Sequence, residues 1–158
     1  MKNKSFATLL LKWHKEENTR QMPWKGEKDP YKIWLSEIIL QQTQVVQGLA
    51  YYHRFITEYP TVSILAEASE EQVLRSWQGL GYYSRARNLH KTAKLITNEY
   101  QGVFPTEKTD LLKLPGVGDY TASAIASFAF DKPHPSIDGN VFRVISRYYD
   151  IELPIDEP

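Results

Sequence analysis

One proline and two glycines fall within five residues, Leu114-Pro115-Gly116-Val117-Gly118, and they limit what the chain can build between residues 107 and 129. Pro115 ends the helical pattern that runs through Leu111 and Leu112, because the residue before a proline is pushed out of helical backbone space. The two glycines permit positive φ and a tight reversal, and a second helix can begin near Gly118. Its first turn leaves N–H groups unpaired at the positive end of the helix dipole, which suits an anion such as a phosphate diester. The same five residues also fit an ordinary helix-turn-helix hairpin with no ligand.

Strand signals are nearly absent elsewhere and a 3.6-residue apolar period recurs, so the expected fold class is all-α. Phe6, Leu9, Leu10 and Trp13 form one stripe. Asp29-Pro30 reads as a cap and first-turn proline that open a long helix carrying Tyr31, Trp34, Leu35, Ile38, Ile39, Val45 and Val46. Shorter helices are expected at 48–58, 61–67 and 70–77. Gly79-Leu80-Gly81 then breaks the chain before a helix at 84–100, followed by helices at 107–113, 118–129 and 139–149. The 158 residues, 42% hydrophobic and 13% aromatic, suffice for one compact domain with a real core, or slightly more.

Composition also removes several function classes. With no cysteine there is no disulfide, thiolate nucleophile or thiolate metal site, and four scattered histidines without H-E-x-x-H spacing point away from zinc. No run of about 18 apolar residues occurs, so a membrane partner is not expected. Leu9-Leu10-Leu11 is too short, and too hemmed by Lys4, Lys12 and Lys15, to be a signal peptide, so the expected location is the cytoplasm, with the nucleoid. The 19 basic and 19 acidic residues cancel and neither support nor exclude nucleic-acid binding. Arg75, Arg85, Arg87, His90, Lys91 and Lys94 crowd one segment just after Glu67, Glu70 and Glu71, which taken singly suits solvated helix faces.

Two carboxylates stand out by their surroundings. On a helical wheel Glu37 points away from the main stripe, beside Ile33, Leu40 and Gln41, so desolvation is expected to raise its pKa. Asp138 precedes Gly139-Asn140-Val141 and a periodic helix, where the dipole favours the anion; alone it also fits a plain N-cap. A neutral acid and a persistent anion together are the equipment for breaking a glycosidic bond through an oxocarbenium-like transition state. Gln41-Gln42-Thr43-Gln44 supplies amides that can probe base edges or fill a gap in a duplex. Gly79-Leu80-Gly81-Tyr82-Tyr83 offers close backbone approach, an apolar wedge and aromatic faces for stacking, or equally a helix-ending loop with two core tyrosines.

Taken in order, Met22-Pro23-Trp24, Asp29-Pro30-Tyr31, Trp34-Leu35-Ser36-Glu37, Leu40 to Val45, Gly79 to Tyr83, Arg85 to His90, Leu114 to Gly118 and Ile137 to Val141 resemble the helix-hairpin-helix DNA glycosylase superfamily, and within it the MutY-type adenine DNA glycosylases. The resemblance implies a six-helix barrel-like domain plus an N-terminal helix, and removal of adenine mispaired with 8-oxoguanine or guanine in double-stranded DNA. It implies Glu37 as the acid that protonates adenine N7 and later helps activate water, Asp138 as the carboxylate that stabilises the sugar cation, and Asn140 as its orienting partner. Gln42 and Tyr82 would wedge into the duplex, with Gln41, Thr43, Leu80 and Arg85 nearby and Gly79 and Gly81 shaping the loop. Arg20 and Trp24 would line the pocket for the flipped base, and Gly116, Val117 and Gly118 would hold the backbone.

Endonuclease III-like relatives place a Schiff-base lysine where this chain has Tyr120, which implies a monofunctional glycosylase. The resemblance further implies closing helices, an iron–sulfur cluster held by four cysteines and an 8-oxoguanine-reading domain. None of these is in the 158 residues. The expectation is therefore a shortened chain: residues 1–20 the N-terminal helix of an incomplete second lobe, 21–150 the glycosylase domain with its hairpin near 108–128, and 151–158 the start of a linker, the complete protein being a monomer. Two alternatives stay open: a DNA-binding fragment without turnover, and a glycosylase for another mismatch such as T:G.

Overall fold

In the computed structural model the described residues are 5–154, and they form nine helices and no strand. The expected linker residues 155–158 and the flanking Lys4 lie outside them. α1 (Phe6–Glu16) precedes an irregular stretch that leads to α2 (Pro30–Leu40). Asp29 caps α2 by accepting from the Tyr31 N–H at 2.9 Å, and Pro30 occupies the first turn, where its missing N–H costs nothing. α2 is the central helix. Tyr31, Ile33, Trp34, Leu35, Ile38 and Ile39 are all buried, so it is covered nearly all round by α3 (Val45–Glu58), α6 (Tyr83–Glu99) and α8 (Asp119–Phe130).

α4 (Val62–Glu67) and α5 (Glu70–Trp77) pack on α6, and α7 (Lys108–Leu111) on α8. Ser69 and Gln72 close a reciprocal capping box at the start of α5. Trp34, Trp77 and Phe55 are among the largest fully buried side chains, each worth about 2–3 kcal/mol of burial. The Tyr31 hydroxyl donates to the Tyr59 carbonyl, tying α2 to the end of α3, and the Tyr59 and Ser76 hydroxyls meet at 3.1 Å to tie α3 to α5.

The long helix expected through Val46 does not form. α2 stops at Leu40, residues 41–44 turn, and α3 starts afresh at Val45, so Val46 leaves the apolar stripe and is 87% exposed. Gln42 adopts positive φ (53°), which no α-helix accommodates. The terminal carbonyls of α2 then find a donor outside the helix: the Arg85 guanidinium bonds those of Ile38, Ile39 and Gln41.

The other helices fall within a few residues of expectation, except that the first hairpin helix shrinks to the single turn of α7. Two residues of the crowded basic segment pair with the acidic one before it, Arg75 with Glu71 at 3.0 Å and Arg87 with Glu70 at 3.3 Å, while His90 is buried against the Ala68 carbonyl. α1 and α9 (Gly139–Tyr149) bury no residue; they touch where the Phe6 ring meets Tyr148, centroids 4.8 Å apart. No described helix is long and apolar enough to cross a membrane.

Candidate functional site

Glu37 is placed by the last turn of α2 where two cavities meet, and Trp24 lines both with it. The larger cavity, about 890 Å³, brings together Gln41, Gln42, Thr43, Tyr82, Arg85, Tyr120, Asp138 and Asn140, residues from four separate segments. The smaller, about 490 Å³, holds Arg20 and Met22 and, without any warning in the residue pattern, His14, Asn18, Lys28, Ser127 and Asp131. Those residues come from α1, the irregular stretch and the end of α8, and no local period links them. Met22, inside the Met22-Pro23-Trp24 motif, did carry a signal.

The carboxyls of Glu37 and Asp138 share the larger cavity but differ in state. Burial pushes Glu37 up to about 7; the Asp138 charge adds to that, and the Tyr120 hydroxyl, facing Glu37, pulls the other way. Asp138 is the N-cap of α9. Its Oδ1 accepts from the Val141 N–H at 2.9 Å and the Asn140 N–H at 3.0 Å, and its Oδ2 accepts from Asn140 Nδ2 at 2.9 Å. Those donors, the Val141 amide foremost, hold Asp138 below the usual aspartate range. Tyr120, one residue inside α8, is pushed up to about 12 by burial and by both carboxylates, so it stays a neutral donor. The arrangement presents a proton-holding acid and a fixed anion to one volume.

Two loops form the rim, and each carries a non-glycine residue in left-handed backbone: Gln42 with φ 53° and Tyr82 with φ 46°. Such residues cost about 1 kcal/mol or more each, so the surroundings must hold them. Both side chains are exposed, Tyr82 by 65%. Leu80, read from sequence as part of the wedge, is instead buried with the core, and Arg85 turns inward to carbonyl oxygens. Gly79 at φ 101° and Gly81 at φ 70° shape the second loop, and a side chain at Gly79 would run into the Tyr51 hydroxyl.

The hairpin joins the site through Tyr120 rather than by lining the cavity. Gly116 takes positive φ (75°) and packs so tightly on α6 that an added Cβ would lie 2.9 Å from Asn88 Cβ. Of the two glycines that permit positive φ only Gly116 uses it: Gly118 has φ −88°, and it caps α8 without any side chain, leaving the first N–H groups of that helix open. Val117 is buried, so what Gly116 to Gly118 present outward is backbone.

The chain matches the HhH-GPD superfamily base excision DNA repair protein family over residues 35–154, which takes in both carboxylates, both loops and the hairpin. The chain belongs to that superfamily. An adenine DNA glycosylase of Buchnera aphidicola is 43% identical over 148 residues, covering 94% of this chain and 42% of that protein. The human adenine DNA glycosylase is 43% identical over 152 residues, covering 90% of this chain and 28% of that one. The chain thus spans less than half the length of these curated relatives.

Among solved structures a thermostable thymine-DNA glycosylase superposes with a TM-score of 0.82 at 31% identity, covering 90% of this chain and 65% of that one. An endonuclease III in a non-covalent DNA complex, with a TM-score of 0.78 at 24% identity and covering 95% of this chain and 69% of that one, shares the fold. The chain has no cysteine, and among the described residues no group of three or more His, Asp or Glu is arranged to hold a metal ion. An iron–sulfur cluster of the kind implied by the resemblance, held by four cysteines, therefore finds no cysteine ligand in this HhH-GPD chain.

Proposed function

We propose that this chain carries the excision centre of a DNA glycosylase that hydrolyses the N-glycosidic bond of adenine mispaired with 8-oxoguanine or guanine. One observation supports this above the others: Glu37, with its pKa near 7, shares a cavity with Asp138, held anionic by three donors. Adenine is a poor leaving group until a ring nitrogen is protonated, and an acid with a pKa near ambient pH is suited to supply that proton. Glu37 gives its proton to N7, the C1′–N9 bond breaks with its electron pair going to the base, and the Asp138 carboxylate faces the sugar cation that remains. Glu37, then ionised, accepts a proton from the water that attacks C1′.

The base would enter the smaller cavity between Arg20 and Trp24, past Glu37, after Gln42 and Tyr82 displace it from the stack. The open backbone N–H groups at the start of α8 would hold a phosphate, and Tyr120, which cannot form an imine, leaves the strand uncut. Alkali treatment of an A:8-oxoguanine duplex after incubation tests the reading; a protein that binds and leaves no alkali-labile site is a binding module only.

A second reading draws on the thymine-DNA glycosylase that this chain resembles at 31% identity. Thymine has no N7 and leaves as an anion, so an acid poised near pH 7 contributes less to its release. Competition between A:8-oxoguanine and T:G duplexes in one tube separates the two: adenine release should dominate, and preferential thymine release would overturn the assignment.

A further inference from the structure

Arg85 reaches from the first turn of α6 into the seam between the two strained loops. Its Nη1 donates to the carbonyls of Ile38, Ile39 and Gln41 and to Thr43 Oγ1, and its Nη2 donates to the carbonyls of Leu80 and Gly81. The guanidinium carbon lies 5.1 Å from the Trp77 ring and 5.6 Å from the Tyr82 ring. An arginine lining a DNA-facing cavity is ordinarily read as a phosphate ligand. Here both terminal nitrogens already donate inward to the protein.

We propose that Arg85 is a positioning residue: by bonding both loops at once it fixes the spacing and orientation of Gln42 and Tyr82 for entry into the duplex, without touching nucleic acid itself. The inference rests on the reading of those two side chains as wedges. α3 braces the second loop from behind, through Gln47 Nε2 to the Gly79 carbonyl at 3.3 Å and the Tyr51 hydroxyl to the Gln78 carbonyl at 2.8 Å. Among the described residues no hydrogen bond runs directly between residues 41–43 and residues 79–82, and Arg85 is the one side chain that hydrogen-bonds both. Left-handed non-glycine residues persist only where their surroundings over-determine them, and a planar fork does this in a way that the point charge of a lysine cannot.

The test compares Arg85→Lys and Arg85→Gln with wild type in the whole natural protein, using a duplex with 2-aminopurine beside the mismatch to report unstacking. Both variants should keep their thermal midpoint within a few degrees and their affinity for undamaged duplex within about threefold. The unstacking signal and the single-turnover excision rate should fall together, by as much as roughly 100-fold, the scale of a ~1 Å misplacement. Excision should recover on a substrate whose target adenine already lies in an unpaired bubble. In a Gln42→Ala/Tyr82→Ala background, Arg85→Lys should cost little more, because it acts through those residues. Equal losses on paired and bubble substrates would overturn the inference, as would weakened affinity with a salt slope reduced by about 1, the mark of a phosphate ligand. Absence of unstacking in the wild type itself would overturn the wedge reading and this inference with it, whereas normal unstacking by the variants overturns the inference alone.

Discussion

Glu37 is charged at a cost, and its sign can be followed in stability as well as turnover. Its folded pKa, near 7, lies above the ordinary carboxylate value of 4.5, so the native state holds a proton that the unfolded chain has released. Stability therefore falls as pH rises from about 4.5 to 7 and levels off beyond. Glu37→Gln should abolish base release and yet raise stability at pH 8, by an amount on the order of 3 kcal/mol, with the gain vanishing near pH 4; thermal unfolding at the two pH values checks this. Single-turnover excision by the wild type should drop about tenfold per pH unit above 7 as the acid ionises, and a flat profile to pH 9 would remove Glu37 from the proton-donor role. Asp138 separates structure from chemistry in another way. Asparagine caps a helix about as well as aspartate, so Asp138→Asn should leave the thermal midpoint nearly unchanged while losing most of the excision rate; a variant that keeps its rate would return Asp138 to a cap alone. Its depressed pKa was legible because a cap aspartate carries its donors in the adjacent sequence.

At the scale of elements, the hairpin and the break after α2 were unequally legible. Pro115 and Gly116 act on their own backbone, so the turn could be located from local chemistry. The close approach of Gly116 to Asn88 could not, because those residues meet only when α6 packs on the hairpin. Gly116→Ala combines positive φ with that contact and should destabilise by about 1–2 kcal/mol or more, measured by urea unfolding. Gly118→Ala, with nothing within 4 Å of its added Cβ, should cost less, within about 1 kcal/mol, the N-cap preference for glycine over alanine. Equal effects of the two would contradict the turn geometry. Gln41 to Gln44 hid the end of α2, since glutamine is a good helix former and the apolar period resumes at Val45. The donor that replaces the missing turn sits on Arg85, more than forty residues away.

For the whole molecule, the buried core is drawn from α2 through α8, while α1 and α9 bury no residue. Leu10 is 48% exposed and Leu89 is 1% exposed. Leu89→Ala should therefore cost about 2–5 kcal/mol and Leu10→Ala within about 0.5 kcal/mol in this chain, compared by chemical denaturation. The amino-acid order by itself determined the all-helical class, most helix positions, the hairpin turn and the contrast between Glu37 and Asp138, because caps, prolines and apolar period act over a few residues. Only the tertiary structure decided that α2 ends at Leu40, that Leu80 packs inward, that Arg85 serves the backbone, and that Arg20 and Trp24 share a second cavity with His14, Ser127 and Asp131. These features depend on which distant groups arrive beside a carbonyl or a ring, and that is set by how whole helices stack, not by any pattern within one of them.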